Sequence, residues 1–311
     1  MSRVALVFPG QGSQAVGMGR DLGESSPRWE AASAVLGFDL RRLCFEGPEA
    51  DLTLTANTQP AILTASIVAL DALLATGIAF DFVSGHSLGE YSALVAAGAF
   101  EFSDAVRTVR ARGQFMQEAV PPGEGAMAAV LGLDRAMVIQ ACDEAKDTGA
   151  VQVANLNAPG QTVIAGSSVA VKRAIELAKA KGAKRVVPLP VSAPFHSALM
   201  APAAMRLEAV LRAVPIRDLR VPLVTNVDAD VLTHRTKVVD VLVRQVTSPV
   251  RWEEGIARLA KEGTDTFVEV GPGKVLSGLI RRIVSDARVL NVEDRASLEA
   301  TLTALGRTSR P

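Results

Sequence analysis

The chain has 311 residues, and its 33 Lys and Arg residues balance 33 Asp and Glu residues. This length fits one large domain or two smaller ones, and a hydrophobic content of 49% against 21% charged residues excludes a disordered chain. Zero net charge argues against a general nucleic-acid binder, because phosphate neutralisation needs a basic excess, and 4% aromatic residues argue against stacking platforms for single strands.

The first part of the chain alternates strand and helix patterns. The predicted elements are strand Val4–Phe8, helix Pro60–Leu74, strand Phe82–Ser84, helix Leu88–Ala97 and a helix that is N-capped by Ser103 and reaches about Ala119. Short apolar strands that alternate with helices imply a parallel sheet covered on both faces. We therefore expect an α/β fold resting on a parallel sheet.

The middle of the chain follows a different order after the break at residues 121–123. The predicted elements are strand Ala126–Leu133, helix Arg135–Ala145, strands Val151–Asn155 and Thr162–Gly166 joined by a turn at 157–160, helix Ala170–Lys181 and strand Arg185–Pro190. The order βαββαβ is that of the ferredoxin-like fold. We interpret residues 123–197 as a small subdomain inserted into a larger domain formed by residues 1–122 and 198–311.

The alternation of strands and helices resumes after Ala198. The predicted elements are helix Ala203–Ala213, strand Pro222–Thr225, helices around 237–261, strand Thr266–Val270, a turn at 271–273, a helix, strand Arg288–Val292 and a last helix. Residues 228–235 are polar and predict a solvated loop, and the tail 307–311 predicts no ordered element.

Cysteine usage and the apolar runs bear on the compartment. Cys44 and Cys142 lie far apart and outside any Cys-x-x-Cys pair, which excludes a disulfide framework or zinc site and fits a reducing cytoplasm. The run Val4–Phe8 is too short for a signal peptide, and the run 61–80 carries Asp71 and lacks a basic flank, so a buried helix is favoured over a membrane span. We expect a cytoplasmic protein.

The segment Gly85-His86-Ser87-Leu88-Gly89 matches the Gly-x-Ser-x-Gly nucleophile elbow. A sharp turn between strand and helix raises the serine hydroxyl clear of the backbone, and the flanking glycines permit close packing. The amide of the next residue then lies at a helix N-terminus, where it can stabilise an oxyanion. The position of the motif between a predicted strand and an apolar helix favours Ser87 as a nucleophile over a bystander serine in a glycine-rich turn.

A serine nucleophile needs a base, and the chain has three histidines. His86 adjoins Ser87, so the elbow directs its side chain elsewhere, and His234 lies in the polar stretch 228–235. His196 follows the last strand of the small subdomain, where a loop returns to the main sheet. Elimination favours His196 as the base, although a buried histidine in a loop can be purely structural.

Two further features remain open at this level. Gly10-Gln11-Gly12-Ser13-Gln14-Ala15 formally fits a dinucleotide fingerprint, but no strand ending in an acid follows about 20 residues later, so we prefer a tight loop lining a site beside the elbow. Arg112 falls within the apolar arc of the helix beginning at Ser103. A buried guanidinium needs a partner, either an internal Asp or Glu or the carboxylate of a substrate.

Short motifs occur in a single order along residues 8–273. They are Phe8-Pro9-Gly10-Gln11-Gly12-Ser13-Gln14, Thr58-Gln59-Pro60-Ala61, Gly85-His86-Ser87-Leu88-Gly89-Glu90-Tyr91, Arg112-Gly113 with Met116-Gln117, Asn155-Leu156-Asn157 with Pro159-Gly160-Gln161, Pro194-Phe195-His196-Ser197, Gln245 with Pro249-Val250-Arg251-Trp252, and Glu269-Val270-Gly271-Pro272-Gly273. In order and spacing they resemble the bacterial malonyl-CoA:acyl-carrier-protein transacylases, of the acyltransferase family of fatty-acid and polyketide synthesis.

The resemblance implies an α/β-hydrolase-like domain with a ferredoxin-like insert, malonyl-CoA as substrate, no cofactor and no metal. It also implies roles for particular residues: Ser87 as acylated nucleophile, His196 as base, the amides of Gln11 and Leu88 as oxyanion hole, Arg112 as the partner of the malonyl carboxylate, and Gln245 as the residue whose carbonyl orients His196. The acyl group would pass to the phosphopantetheine thiol of an acyl carrier protein by ping-pong kinetics.

Selectivity and docking follow from the same resemblance. Leu88 and Phe195 resemble the residues of malonyl-selective members, in which bulk crowds the α-methyl group of methylmalonyl. Carrier proteins are typically acidic, so a basic docking patch is expected, and Arg281-Arg282 and Lys184-Arg185 are the candidates. The alternative, that these residues form only a solvated charged surface, is equally consistent with the sequence. We expect a monomer without nucleic-acid or membrane partners.

Alternative functions use the same residues differently. A serine thioesterase or hydrolase would pass the acyl group to water. A malonyltransferase serving polyketide synthesis or malonate decarboxylation would share the chemistry and differ in context. A non-catalytic dinucleotide module depends on Gly10 and Gly12 alone, and an adaptor on a dead acyltransferase fold is disfavoured by the intact Ser87, His196 and Arg112.

Overall fold

A computed structural model describes residues 3–191 and 193–306. In chain order the strands of this range are β1 Arg3–Phe8, β2 Phe82–Gly85, β3 Gly125–Leu131, β4 Val151–Ala158, β5 Gln161–Ser167, β6 Arg185–Pro188, β7 Leu223–Val224, β8 Val231–Leu232, β9 Thr264–Val270 and β10 Arg288–Val292. The helices are α1 Arg20–Gly23, α2 Pro27–Leu36, α3 Leu40–Glu46, α4 Glu49–Thr53, α5 Thr55–Leu74, α6 Gly89–Ala96, α7 Phe102–Glu118, α8 Arg135–Ala145, α9 Ser168–Ala180, α10 Ala201–Ala213, α11 Val238–Thr247, α12 Trp252–Lys261, α13 Val275–Ile283 and α14 Arg295–Ala304.

The main sheet has the strand order β10-β9-β1-β2-β7-β8. Every adjacent pair is parallel except β7 and β8. Along β1, Leu6 and Phe8 pack into the core that contains α5, α6 and α7, whereas Ala5 and Val7 pack into the core that contains α12 and α13. This alternation follows from the period of two along a strand, and it confirms a parallel sheet covered on both faces.

The small sheet has the order β4-β5-β3-β6, and all of its pairs are antiparallel. Ala128 and Val130 face a core shared with α8 and α9. The intervening residues Met127 and Ala129 face the core of the main domain. The strand order and the βαββαβ sequence confirm the ferredoxin-like arrangement, with one sheet face closed by its own helices and the other turned toward the main sheet.

An isolated parallel bridge ties the small sheet to the main domain. Asn155 on β4 pairs with Val250, Leu156 donates its amide to the Val250 carbonyl at 2.9 Å, and Val250 donates its amide to the Ala154 carbonyl at 2.9 Å. Backbone bonds on both sides of Val250 fix the orientation of β4. We propose the loops after α7 and β6 as the limits of the insert, dividing the chain into 1–122 with 198–311, and 123–197.

Several predicted boundaries are wrong by short distances. Helix α5 begins at Thr55, five residues before the predicted start, and Pro60 lies inside it. Proline at position 60 favours a helix start, but Thr55, Ala56, Thr58 and Gln59 are all buried, and their packing continues the helix in front of it. The predicted strand ends at 133, 155 and 190 are observed at 131, 158 and 188, so Asn157 and Ala158 belong to β4 rather than to a turn.

Two other local predictions also fail. Ser103 is not the N-cap of α7, which begins at Phe102 after Glu101, because Phe102 is itself buried in the core. Residues 228–235 are not entirely loop, because Val231 and Leu232 form β8 against β7, where the buried Leu232 gains contacts. The predicted tail 307–311 lies outside the described residues.

The structure can be compared with two further predictions, that of no membrane-spanning helix and that of no disulfide. Within residues 3–191 and 193–306, no helix combines the length and the apolar character that a bilayer crossing needs. Cys44 and Cys142 are buried as free thiols.

The packing at the elbow predicts a large and local effect on stability. A Cβ at Gly89 would lie 2.1 Å from the Phe8 carbonyl oxygen in the central strand, whereas a Cβ at Gly278 inside α13 would meet nothing within 4 Å. We expect Gly89→Ala to lower the free energy of unfolding by about 3 kcal/mol, and Gly278→Ala to raise it by about 0.5–1 kcal/mol through helix propensity. Urea denaturation of both variants measures this, and equal effects would contradict the proposed close approach of β1 and α6.

Candidate active site

The elbow lies where β2 ends and α6 begins. Ser87 stands at the turn with φ of 52°, in the left-handed region that residues other than glycine rarely adopt. A Cβ at Gly85 would lie 2.0 Å from the backbone of Gly89, so the turn can close only because Gly85 lacks a side chain. The result is a serine presented at the carboxyl end of a central strand, as the motif predicts.

The serine hydroxyl contacts a buried histidine. Ser87 Oγ lies 2.8 Å from His196 Nε2, and His196 Nδ1 lies 2.8 Å from the backbone carbonyl oxygen of Gln245. A carbonyl oxygen can only accept, so Nδ1 carries the proton and Nε2 is free to accept the serine proton. The geometry is therefore a Ser-His pair in which a carbonyl stands where many hydrolases place a carboxylate.

The imidazole of His196 is held in its neutral form. Burial, together with the neighbouring positive charge of Arg112, lowers the pKa of His196 to about 3. A neutral imidazole is the form able to take a proton from Ser87, so this base remains in its competent state at neutral pH.

Arg112 lies beside the nucleophile and is 1% exposed. Its guanidinium donates to Gln59 Oε1 at 2.9 Å, Gln245 Oε1 at 2.9 Å and Ser87 Oγ at 3.1 Å, and its Nε has no hydrogen-bond partner. Among the described residues, none of these partners is a carboxylate. The sequence leaves two kinds of partner open for Arg112, an internal Asp or Glu and the carboxylate of a substrate. The internal carboxylate is not observed, so the guanidinium charge stays available to a ligand.

Gln245 connects the base to this guanidinium. Its backbone carbonyl accepts from His196 and its Oε1 accepts from Arg112, while its Nε2 donates to Glu90 Oε2 at 2.6 Å and to the Ser87 carbonyl at 3.0 Å. Burial raises the pKa of Glu90 to about 8, so the charged form of this carboxyl, which would offset the charge of Arg112, is disfavoured near neutral pH.

The pair opens onto a cavity of about 750 Å³. Loops and helices of the main domain line it together with strands β3 and β4 of the small sheet, and the lining residues include Gln11, Gly12, Gln59, Ser87, Leu88, Arg112, Met127, Asn155, Phe195 and His196. Gln11 also donates its side chain to Thr55 Oγ1 at 3.2 Å. In the described part of the chain, neither the amide of Gln11 nor that of Leu88 donates a backbone hydrogen bond, so both remain free to bind an oxygen in the cavity.

Of the other two histidines, His86 also lines the cavity, whereas His234 does not. The Nε2 atom of His86 is 2.8 Å from Asn157 Oδ1, so the side chain next to the nucleophile is tied to β4 rather than to Ser87. His234 is exposed. The docking candidates also lie outside the cavity: Arg282 donates to Gln161 Oε1 and the Pro159 carbonyl, and Arg281 donates to the Val289 carbonyl.

Three residues that contact Arg112, Gln245 or the backbone of the elbow have no role predicted from the sequence. Gln59 and Glu90 occur in the quoted motifs, but their contacts with Arg112 and Gln245 depend on tertiary structure. Asn226 hydrogen-bonds to the backbone of the elbow. The available signal for Asn226 was its place just after a predicted parallel strand, since polar residues at such carboxyl ends converge on one edge of the sheet.

Within the described residues, no group of three or more His, Cys, Asp and Glu side chains is placed to hold a metal ion. A dinucleotide site also receives no support, because the Gly10–Gly12 loop contributes Gln11 and Gly12 to the same cavity as Ser87.

The acyl transferase domain family matches residues 5–301. A relative from Bacillus subtilis (strain 168), named malonyl CoA-acyl carrier protein transacylase, is 52% identical over 98% of both chains, and an Escherichia coli (strain K12) relative of the same name is 48% identical over 97% of this chain and 99% of its own.

Solved structures agree with these relatives. An acyl carrier protein S-malonyltransferase from Vibrio cholerae has a TM-score of 0.94 at 46% identity, with 96% of this chain and 100% of that chain covered. A structure of a type II PKS acyl-carrier protein in complex with its malonyl-transacylase has a TM-score of 0.95 at 45% identity, with 97% of this chain and 100% of that chain covered. The chain therefore belongs to the acyl transferase family and, within it, to the malonyl CoA-acyl carrier protein transacylases.

Proposed function

We propose that the chain transfers the malonyl group of malonyl-CoA to the phosphopantetheine thiol of an acyl carrier protein through a malonyl ester on Ser87. One observation carries the proposal: the buried guanidinium of Arg112 lies 3.1 Å from Ser87 Oγ and, among the described residues, no carboxylate contacts it. An acyl group with a free carboxylate supplies the missing partner while its thioester lies at the nucleophile.

The first half-reaction forms the acyl-enzyme. His196 Nε2 takes the hydroxyl proton as Ser87 Oγ attacks the thioester carbonyl carbon, and the amides of Gln11 and Leu88 bind the oxyanion. The carbon–sulfur bond then breaks, and CoA leaves as a thiol after receiving the proton from His196. Gln245 holds the imidazole through its carbonyl, 2.8 Å from Nδ1, which supports this direction of transfer.

The second half-reaction reverses these steps on a new thiol. The carrier thiol gives its proton to His196 and attacks the ester carbonyl, and Ser87 Oγ leaves and regains the proton. Both halves use the same groups, so the kinetics are ping-pong. The reaction needs malonyl-CoA as a substrate and no cofactor.

The unpaired, buried Cys44 and Cys142 fit a reducing cytoplasm. In this proposal the enzyme acts there as a monomer that supplies fatty-acid elongation.

Shape adds a second level of selectivity. Phe195 is 9% exposed and, together with Leu88, lines the cavity that contains Ser87 and His196. In the proposed complex, this bulk favours malonyl over methylmalonyl. A methyl group is worth about 1–3 kcal/mol in such a pocket, less than an unpaired charge.

Three of the four basic candidates, Arg282, Lys184 and Arg185, lie at one end of the small sheet. Gln161, which accepts from Arg282, pairs with Leu131, and Leu131 pairs with Arg185 on the next strand. Arg282 therefore lies at the same sheet end as Lys184 and Arg185. Met127, which lines the cavity, is four residues from Leu131 along β3, or about 13 Å. These positions support a docking patch for an acidic carrier protein, formed by Arg281, Arg282, Lys184 and Arg185.

The acyl-enzyme is the direct test of the proposed function. After brief incubation with malonyl-CoA, intact-protein mass spectrometry should show a gain of one malonyl group on the chain and none on Ser87→Ala, because the ester forms on that hydroxyl. Acetyl-CoA should give a much weaker adduct. Release of CoA without an adduct would identify water as the acceptor and make the chain a hydrolase.

Arg112 should determine which acyl group is accepted. Arg112→Ala removes the partner of the malonyl carboxylate, so malonyl transfer should fall about 100-fold or more while acetyl transfer changes little, since pairs of this kind are worth about 2–5 kcal/mol. Steady-state rates with both CoA esters measure the ratio. Arg107→Ala is the matched control, because Arg107 lies on the same helix, exposed and paired with Asp104. An unchanged malonyl-to-acetyl ratio in Arg112→Ala would contradict the assignment.

The docking patch predicts an effect confined to the protein substrate. The double variants Arg281→Glu with Arg282→Glu, and Lys184→Glu with Arg185→Glu, should raise KM for the carrier protein about tenfold and leave the malonyl-CoA kinetics unchanged, because rim charges act mainly on association. Arg41→Glu, at an exposed position on α3, serves as the control. An unchanged KM for the carrier protein in both double variants would remove the patch from the proposal.

A further inference from the structure

The backbone of the nucleophile elbow is bridged by the side chain of Asn226, which lies just after β7. Asn226 Oδ1 accepts a hydrogen bond from the Ser87 amide at 2.7 Å, and Asn226 Nδ2 donates to the Gly85 carbonyl oxygen at 2.7 Å. The two contacted groups flank the turn, one at the end of β2 and the other at the nucleophile itself. The side-chain amide of Asn226 therefore hydrogen-bonds to the backbone on both sides of the turn.

The turn needs such a partner because its backbone is strained. Ser87 has φ of 52°, a conformation that costs residues other than glycine about 1–2 kcal/mol. Strained backbone conformations persist where several contacts with the surrounding structure hold them in place. Asn226 gives the Ser87 amide an acceptor, and it engages the Gly85 carbonyl on the other side of the turn.

The position of Asn226 is itself fixed by the sheet. It follows β7, which pairs in parallel with β2 so that Val224 lies beside Ser84, and Ser84 Oγ donates to the Val224 carbonyl at 2.9 Å. The carbonyl of Asn226 accepts from the Arg251 amide at 2.9 Å, and the residue is 2% exposed. Asn226 is therefore held by contacts that do not involve the elbow.

The chemistry of the bridge is specific to a side-chain amide. Asparagine can accept from an N–H and donate to a carbonyl at the same time. Aspartate has the same shape, but when ionised it can only accept, so it would face the Gly85 carbonyl with a second acceptor. Alanine provides neither bond.

We propose that Asn226 is a positioning residue, which holds the Ser87 backbone so that Oγ faces His196 and the Leu88 amide stays directed into the cavity. The inference rests on the proposed acyl transfer for its substrate, but it concerns the nucleophile and not the acyl group. Asn226 Oδ1 also lies 3.5 Å from Gln245 Nε2, at the limit of hydrogen-bond distance, but among the described residues Asn226 makes no hydrogen bond to Arg112 itself. Its effect should therefore be the same for every acyl group that Ser87 accepts.

The test compares Asn226→Ala and Asn226→Asp with the wild-type chain. Both should lower the rate of Ser87 acylation about 10- to 100-fold, the scale expected for a misplacement of about 1 Å. The KM for malonyl-CoA and the malonyl-to-acetyl ratio should stay within twofold, because Arg112 keeps its own contacts. Asn291→Ala is the matched control, since Asn291 lies on β10 of the same sheet and its Nδ2 has no hydrogen-bond partner.

A second reagent separates the two proposals. A fluorophosphonate that modifies activated serines reports the reactivity of Ser87 without any acyl-CoA. If the wild-type chain reacts with the fluorophosphonate but not with malonyl-CoA, the proposed function fails, and the slower reaction of both variants with the fluorophosphonate still supports the inference. Wild-type rates with this reagent in a folded Asn226→Asp, or a kcat that is unchanged while KM rises, would overturn it.

Discussion

The site depends on a full positive charge that is buried among neutral groups. Arg112 is surrounded by the amide oxygens of Gln59 and Gln245, the Ser87 hydroxyl and the ring of Tyr91, whose centroid is 5.5 Å from the guanidinium carbon. Each of these contacts offsets part of the desolvation cost and none neutralises the charge. Burial of Glu90 raises its pKa and so disfavours a carboxylate that would offset this charge. The cavity is therefore prepared for an anion at the point where the nucleophile stands.

This charge explains why the base is oriented by a carbonyl. Gln245 accepts from His196 through its backbone carbonyl and from Arg112 through its side chain, so a carboxylate in place of either oxygen would bring a negative charge near the guanidinium and offset the charge that selects the acyl group. A carboxylate would also stabilise the imidazolium and raise the pKa of His196. A neutral carbonyl fixes the same tautomer without either effect. The Ser-His pair and the buried arginine are thus parts of one electrostatic arrangement.

Much of this site can be predicted from the sequence, because the signals are local. The spacing of Gly85 and Gly89 around Ser87 predicts a tight turn between strand and helix. The helical period predicts that Arg112 lies on an apolar face. The contacts of Gln59, Glu90 and Asn226 cannot be predicted this way, since each joins elements that are 53 or more residues apart in sequence. The same limit explains α5 and β8, whose bounds are set by burial against distant segments rather than by the residues at their ends.

The two reacting residues both have a left-handed backbone conformation, and the loop that carries His196 connects the small sheet to the main domain. His196, like Ser87, has a positive φ, of 59°, and it lies on the loop that returns from the small sheet to the main domain. The loop is held from the small sheet, because Gln152 on β4 donates to the His196 carbonyl at 3.2 Å and accepts from the Ala198 amide at 3.1 Å. The bridge at Val250 ties the same strand to the main domain. The 2.8 Å contact between base and nucleophile is therefore set by strand β4 as much as by the elbow, and a small subdomain without catalytic groups on its helices becomes part of the geometry that aligns proton transfer.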